Sequence, residues 1–237
     1  MLDALTVTQL AMEFDQLKLQ SINQNIANMS TPGFKRQIIE NLTFEEQLKP
    51  QINQVITQIN NSQDLTQGTF NQTHNGLDLA LSGDGFFQVQ NEQGVFYTRR
   101  GDFQINNHGE LVTATGETLL GTNGVIKVED SNFTIDSKGT LFIDHHQVDQ
   151  LSIVQFENPS LLQYAGNGLY QSVESPQPAN SATRVLQGFI EQSNSKSLAE
   201  MMDMVKISQH FAANQKVMRT ADTLLDSAIS QLGEGNV

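Results

Sequence analysis

SKSLAEMMDMVKISQHFAANQKVMRTADTLLDSAISQL, residues 195 to 232, contains neither Gly nor Pro and repeats its apolar residues at helical spacing. Met204, Phe211, Met218, Leu225 and Leu232 fall seven residues apart, and Ile207, Ala221 and Ala228 sit three positions after members of that series. The pattern predicts one long helix with a coiled-coil seam. Ser197-Leu198-Ala199-Glu200 reads as a capping box at its start, and Gly233 as its stop. At 1.5 Å per residue the helix is about 55 Å long, more than a core of this size can cover, so its seam requires a partner along its length. Asn214 takes the remaining seam slot. A polar residue there costs stability but fixes register and partner choice, and Asn214 is read as such a device.

Composition narrows the class of protein that carries this helix. A chain of 237 residues holds one or two domains, and a formal charge of −13 argues against nucleic-acid phosphates and anionic lipid as partners. The absence of cysteine excludes thiol catalysis, Cys-ligated zinc and disulfides. No segment is apolar for long enough to span a membrane, and Met1-Leu2-Asp3-Ala4 lacks the basic and apolar regions of a cleavable secretory signal.

Residues 3 to about 28 predict a second amphipathic helix, N-capped by Asp3, with Val7, Leu10, Phe14 and Leu17 at seam spacing. It is the natural partner for the C-terminal helix. Thr31-Pro32-Gly33 ends it. Residues 41 to 75 are rich in amides, with Ile52, Val55, Ile56 and Ile59 suggesting a short helix. From Leu77 to about Phe156 the apolar period becomes two, as in Leu77, Leu79 and Leu81, with further runs at Phe87-Val89, Val95-Tyr97, Val125-Val128, Phe133-Ile135, Leu141-Ile143 and Leu151-Phe156. Gly83-Asp84-Gly85, Asn106-Asn107-His108-Gly109, Asn123-Gly124 and Lys138-Gly139 supply turn chemistry between them. The expected fold class is α+β: long terminal helices pairing as a coiled coil around a central, mainly antiparallel β domain. The expected domains are 1–40 with 188–237, a connecting segment 41–75, and a β domain 76–187.

Three blocks then resemble one known family. Asn25-Ile26-Ala27-Asn28-Met29-Ser30-Thr31-Pro32-Gly33-Phe34-Lys35 is similar to the N-terminal signature of the bacterial flagellar rod and hook family, with Gln24-Asn25 where most members carry two Asn. Gly83, Gly85, Phe86 and Phe87, followed by Tyr97, Arg99, Gly101 and Phe103, resemble its Gly-x-Gly-Phe-Phe and Tyr-Thr-Arg-x-Gly-x-Phe blocks. Gly188, Glu191, Ser193, Asn194, Glu200, Met201 and Asn214 resemble the block that opens its C-terminal helix. His210-Phe211-Ala212-Ala213 replaces the aromatic that many relatives place just before the helix Asn. There is no room for the extra outer domain of hook subunits.

The resemblance implies a structural subunit of the flagellar basal-body rod, nearest the distal-rod members, exported through the flagellum's own type III secretion channel. It also implies that the terminal helices pack with neighbours through Val7, Leu10, Phe14, Leu17, Met204, Ile207, Phe211, Asn214, Met218 and Leu225. The implied partners are copies of the chain, other rod or hook proteins, the export apparatus and the ring proteins around the rod. The residues themselves suggest no cofactor, metal or catalytic group. Adjacent His145 and His146 on a strand would face opposite ways, Asp130 to Lys138 carries Ile135 where a calcium loop needs Gly, and Gly83-Asp84-Gly85 leads into a strand, unlike a phosphate loop. A reading from another class is a secreted or phage-tail-like trimeric β protein that binds a ligand; unlike a rod subunit, a closed trimer stops growing.

Overall fold

Both terminal segments are helical in the computed structural model, which describes residues 2–39, 61–128 and 133–234. The short helix expected around Ile52 to Ile59 lies outside these residues. Helix α1 (Leu2–Ala27) runs 26 residues and already includes Asp3 in its first turn, so Asp3 is not the residue that precedes the helix. Strands β1 (Gln37–Ile39) and β2 (Asn61–Gln63) flank the undescribed segment. Then follow β3 (Phe70–Gln72), β4 (Leu79–Ser82), β5 (Phe86–Asn91), β6 (Gly94–Thr98), β7 (Gln104–Ile105), β8 (Leu111–Val112), β9 (Thr118–Gly121) and β10 (Gly124–Val125). The second half of the sheet region holds β11 (Phe133–Ile135), β12 (Thr140–Ile143), β13 (His146–Gln150), β14 (Ile153–Gln155), β15 (Gln163–Gly166), β16 (Leu169–Gln171), β17 (Gln177–Pro178), β18 (Arg184–Gln187) and β19 (Phe189–Glu191). Helix α2 (Ser197–Glu234) closes the described chain with 38 residues. The class is α+β, with mainly antiparallel sheets.

The chain divides into two units. A helical unit takes residues 1–27, 37–61 and 196–237, and a β unit takes 28–36 and 62–195. The boundary therefore differs from the one expected from sequence: the Asn28–Arg36 turn, residues 62–75 and the stretch from 188 to 195 all belong with the strands. Apolar periodicity could not place them, because single inward side chains such as Phe34 and Leu65, with polar and ionic contacts, hold them there.

In the helical unit α1 and α2 lie side by side and antiparallel. Asn25 meets Glu200 near one end of the pair, and Asp15 meets His210 and Asn214 further along. At 1.5 Å per residue α1 is about 39 Å long and α2 about 57 Å.

In the β unit the largest sheet has the order β15-β16-β6-β5-β9-β8-β7, with β10 on β9 and with β14 joining β5 to β17. β11-β12-β13 form a three-stranded sheet, and β18-β4 and β19-β3 form two-stranded ribbons. Alternation along β5 and β6 sends Phe87, Val89 and Phe96 into one core, with Leu79, Leu81, Phe103, Leu111, Leu119, Ile126 and Leu141, and sends Phe86 and Tyr97 into a second core with Val154, Phe156, Leu162 and Tyr170. The second core is a chain of edge-on aromatic contacts, Tyr97 to Phe156 at 4.8 Å, Phe156 to Phe86 at 6.0 Å and Phe86 to Tyr170 at 5.8 Å. Each fully buried side chain of this size contributes about 2–3 kcal/mol.

Two expectations are corrected here. The alternation expected for β4 fails, since Leu79, Ala80 and Leu81 are all buried: Leu79 and Leu81 enter the first core, and the opposite face at Ala80 is covered as well. Val125 to Val128 is not one strand; β10 stops at Val125, and Ile126 and Val128 are buried as single inward side chains. The turns behave as their chemistry requires. Asp144 and His145 both take positive φ, 49° and 65°, in the two-residue turn between β12 and β13, so His145 is a turn residue and His146 opens the next strand.

Candidate functional site

The helix pair is built from a stripe on α2 and a different stripe on α1. On α2 the residues Met204, Ile207, Phe211, Asn214, Met218, Ala221 and Leu225 are half-buried, while nearly all their neighbours are exposed. This is the three-and-four spacing of the seam. On α1 the most enclosed residues are Asp15, Ser21, Ile22 and Asn25. Leu10, Phe14 and Leu17 are half-buried and Val7 is 52% exposed; Ser21 and Asn25 continue the expected line, whereas Asp15 and Ile22 stand about 100° round the helix from it. Hydrophobicity hides most of these enclosed positions because they are polar. Asp15 and His210 are the members that sequence reasoning missed.

Asp15 sits at the centre. His210 Nδ1 lies 2.7 Å from its Oδ2, and Asn214 Nδ2 donates to the same oxygen at 3.2 Å. The Lys18 ammonium lies 4.7 Å from the centre of the Phe14 ring; burial pushes its pKa down, and Asp15 and Asp203 act against that. Near the other end Asn25 brackets the main chain of Gln37, accepting from its N–H at 2.8 Å and donating to its C=O at 2.9 Å, while the Ser21 hydroxyl donates to the same carbonyl at 3.0 Å. Asn25 Nδ2 also reaches the Glu200 carboxylate at 3.3 Å. Helix α2 begins at Ser197 itself, and Glu200 turns to α1, so the expected capping box is replaced by a tie between the helices.

The β unit assembles the other motif residues around a buried ionic cluster. Gly33 has φ +65°, and a Cβ there would stand 2.3 Å from the Arg99 backbone, so only glycine fits. Its N–H donates to the Glu191 carbonyl at 2.7 Å. That seats Phe34, wholly buried and edge-on to Tyr164 at 5.9 Å, and aims Lys35 inward. The Lys35 ammonium donates to Glu191 Oε1 at 2.6 Å and to the Thr66 carbonyl at 2.8 Å, and Gly68 N–H donates to the same carboxylate oxygen at 2.9 Å. Arg99 approaches Glu191 Oε2 at 3.5 Å and donates to the carbonyls of Leu81 and Gly83 at 3.1 and 2.6 Å, with its guanidinium over the Phe86 ring. Burial pushes both cations' pKa values down, and Glu191 opposes it in each case.

The remaining motif residues have comparable duties. Asn194 accepts from Arg36 N–H at 2.7 Å and donates to the Asp64 carbonyl at 2.7 Å. The Ser193 hydroxyl accepts from Ser195 N–H, and Thr31 donates to Asn28 Oδ1 within the turn. Gly101 passes so close to β4 that a Cβ would lie 1.5 Å from the Leu79 carbonyl oxygen. Gly85, at φ +136°, closes the turn into β5. Among the described residues, no cluster of three or more His, Asp or Glu is arranged to hold a metal ion, and no helix is long and apolar enough to cross a membrane. The chemistry of the motif residues is that of placement: carbonyls capped, cations neutralised and turns fixed.

Comparison with known proteins brings out one family. The profile described as the flagellar hook protein FlgE/F/G D1 domain matches residues 80–143, within the β unit. The profile of the flagellar basal body rod FlgEFG protein C-terminal region matches residues 186–232, which contain β19 and most of α2. The flagellar basal-body rod protein FlgG of Buchnera aphidicola subsp. Baizongia pistaciae is 30% identical over 255 residues, covering 95% of this chain and 98% of its own. FlgG of Bacillus subtilis is 32% identical, covering 91% and 93%, and the rod protein FlgF of Caulobacter vibrioides is 30% identical, covering 92% and 93%. With likeness at that level over nearly the whole length of each, the chain belongs to the flagellar basal-body rod protein family.

Proposed function

We propose that the chain is a structural subunit of the bacterial flagellar basal-body rod, of the distal-rod kind, which assembles with copies of itself and with other rod or hook proteins into a helical axial structure carrying torque from motor to hook. The observation that carries this reading is α2. Of its described side chains only Glu200 is buried, while Leu198, Met201, Met202 and Val205, at i, i+3, i+4 and i+7 on one face, are exposed together, an apolar surface that a helix of a finished monomer does not leave bare. The half-buried seam on α2 supports coiled-coil pairing with α1. The residues Val7, Leu10, Phe14, Leu17, Met204, Ile207, Phe211, Asn214, Met218 and Leu225 then serve packing within and between subunits. The role is mechanical rather than enzymatic. A helix pair that buries so little alone gains further support as copies join, and is easily opened for passage through a secretion channel. Heterologous contacts of this kind build a rod and do not close.

Electron microscopy of basal bodies from a strain lacking the chain tests the proposal. Short rods without hooks are expected, and complete basal bodies on swimming cells would overturn it. Phe211→Asp or Leu225→Asp is expected to block assembly while the β unit stays folded.

A further inference from the structure

We infer that Asp15 sets the register of the helix pair, and that it does so by having only one place along α2 where its buried carboxylate is satisfied. The side chain of Asp15 is 4% exposed, in the middle of α1. A carboxylate so enclosed is tolerated only with partners in place. Those partners are His210 Nδ1 at 2.7 Å and Asn214 Nδ2 at 3.2 Å, four residues apart on one face of α2.

The apolar seam alone does not define register. Met204, Ile207, Phe211, Met218, Ala221 and Leu225 repeat every heptad, so sliding α2 by seven residues returns apolar groups to apolar positions. The polar pair does not repeat. A slide in one direction would bring Asp203 and Ile207 to the places of His210 and Asn214, setting like charge against the carboxylate. A slide in the other would bring Val217 and Ala221, which offer it no hydrogen bond. Both slipped states leave Asp15 buried without a donor from those two positions, and one adds repulsion. Lys18, whose ammonium feels both Asp15 and Asp203, sits one turn along α1 and reinforces the same register. Asn214, identified in the sequence as a lone polar seam residue, is thus half of a device whose other half is Asp15.

The inference concerns the pairing of α1 with α2 and stands apart from what the pair goes on to build. The chain has no cysteine, so two can be introduced cleanly, at the exposed positions Asn23 and Thr223. Spin labels there are separated by about 30 Å along the pair, and a seven-residue slip changes that separation by about 10 Å. Pulsed electron–electron distance measurement on the full chain is expected to give one distance in the otherwise unaltered protein. Asp15→Leu is expected to add a second population displaced by about 10 Å, and Asp15→Asn, which keeps a hydrogen-bonding group, to keep the single distance. A single unchanged distance in Asp15→Leu, a split distribution in Asp15→Asn, or no defined distance in the unaltered chain would each overturn the inference. Rod formation is read separately by microscopy, so variants that keep one distance yet build no rods count against the assembly proposal alone.

Discussion

Glu191 is the residue on which two cations depend. Lys35 and Arg99 both face its carboxylate from within the β unit, and the three side chains are almost fully enclosed. The arrangement is asymmetric. Lys35→Met leaves Glu191 with Arg99 and forfeits the bonds to Thr66 and Glu191, a loss of about 1–3 kcal/mol. Glu191→Gln leaves two buried cations without their nearest counter-charge, with only the weaker pull of Asp64 on Lys35 and Asp84 on Arg99, and about 3–5 kcal/mol is expected. Chemical denaturation followed by tyrosine fluorescence measures both, since the chain has no Trp and its three Tyr, at 97, 164 and 170, all lie in or against the second core. A larger effect for Lys35→Met would refute this account of the cluster. Glu117 offers a pH test. Burial pushes its carboxyl up, but the Thr113 and Thr115 hydroxyls, its own amide and Arg100 together hold it below the ordinary value of 4.5. The unfolded chain therefore takes up this proton first as the pH falls. Its contribution is complete above pH 4.5 and disappears as the pH drops through the folded value, so Glu117→Gln is expected to flatten the acid side of the stability curve.

Among the elements, α2 carries the clearest outward face. Val217 is 57% and Leu224 62% exposed, both on the side of the seam next to Asn214 and Ala221. Val217→Asp and Leu224→Asp are expected to change stability by less than about 0.5 kcal/mol, because both side chains are largely exposed, and yet to abolish swimming. Normal motility with both changes would remove this face from the assembly surface. The same helix shows what a sequence reveals. Its heptads were legible because apolar spacing is local, and so were the hairpin turns, where Gly109, Gly124 and Gly139 take the positive φ that their neighbours suggest. Asp15 was not legible, since one residue's offset on α1 exchanges Phe14 for a carboxylate that only α2 explains. Nor was the Lys35 to Glu191 pair, whose members stand 156 positions apart. The motif blocks were visible by resemblance, but the reason for Gly33, the Arg99 backbone beside it, required the fold.

At the scale of the whole molecule, the two units differ in how they are held. The β unit has two apolar cores and an ionic cluster; the helical unit relies on a half-buried seam and a few hydrogen bonds. Loss of helix, read by far-UV circular dichroism, is expected at a lower temperature than the tyrosine transition, as separate cooperative units would give. One coincident transition would show that the helices are supported as firmly as the strands. The unequal lengths of α1 and α2 have a further meaning. Counting from Asn25 opposite Glu200, the first residues of α1 fall near Leu225, so residues 226 to 234 run on past it, with Ile229 bare. The pair thus has one blunt end and one tongue. Copies joined lengthwise in a common orientation would inherit that difference, and the filament would have two tips of unlike chemistry, one offering a tongue and the other only a place to receive it.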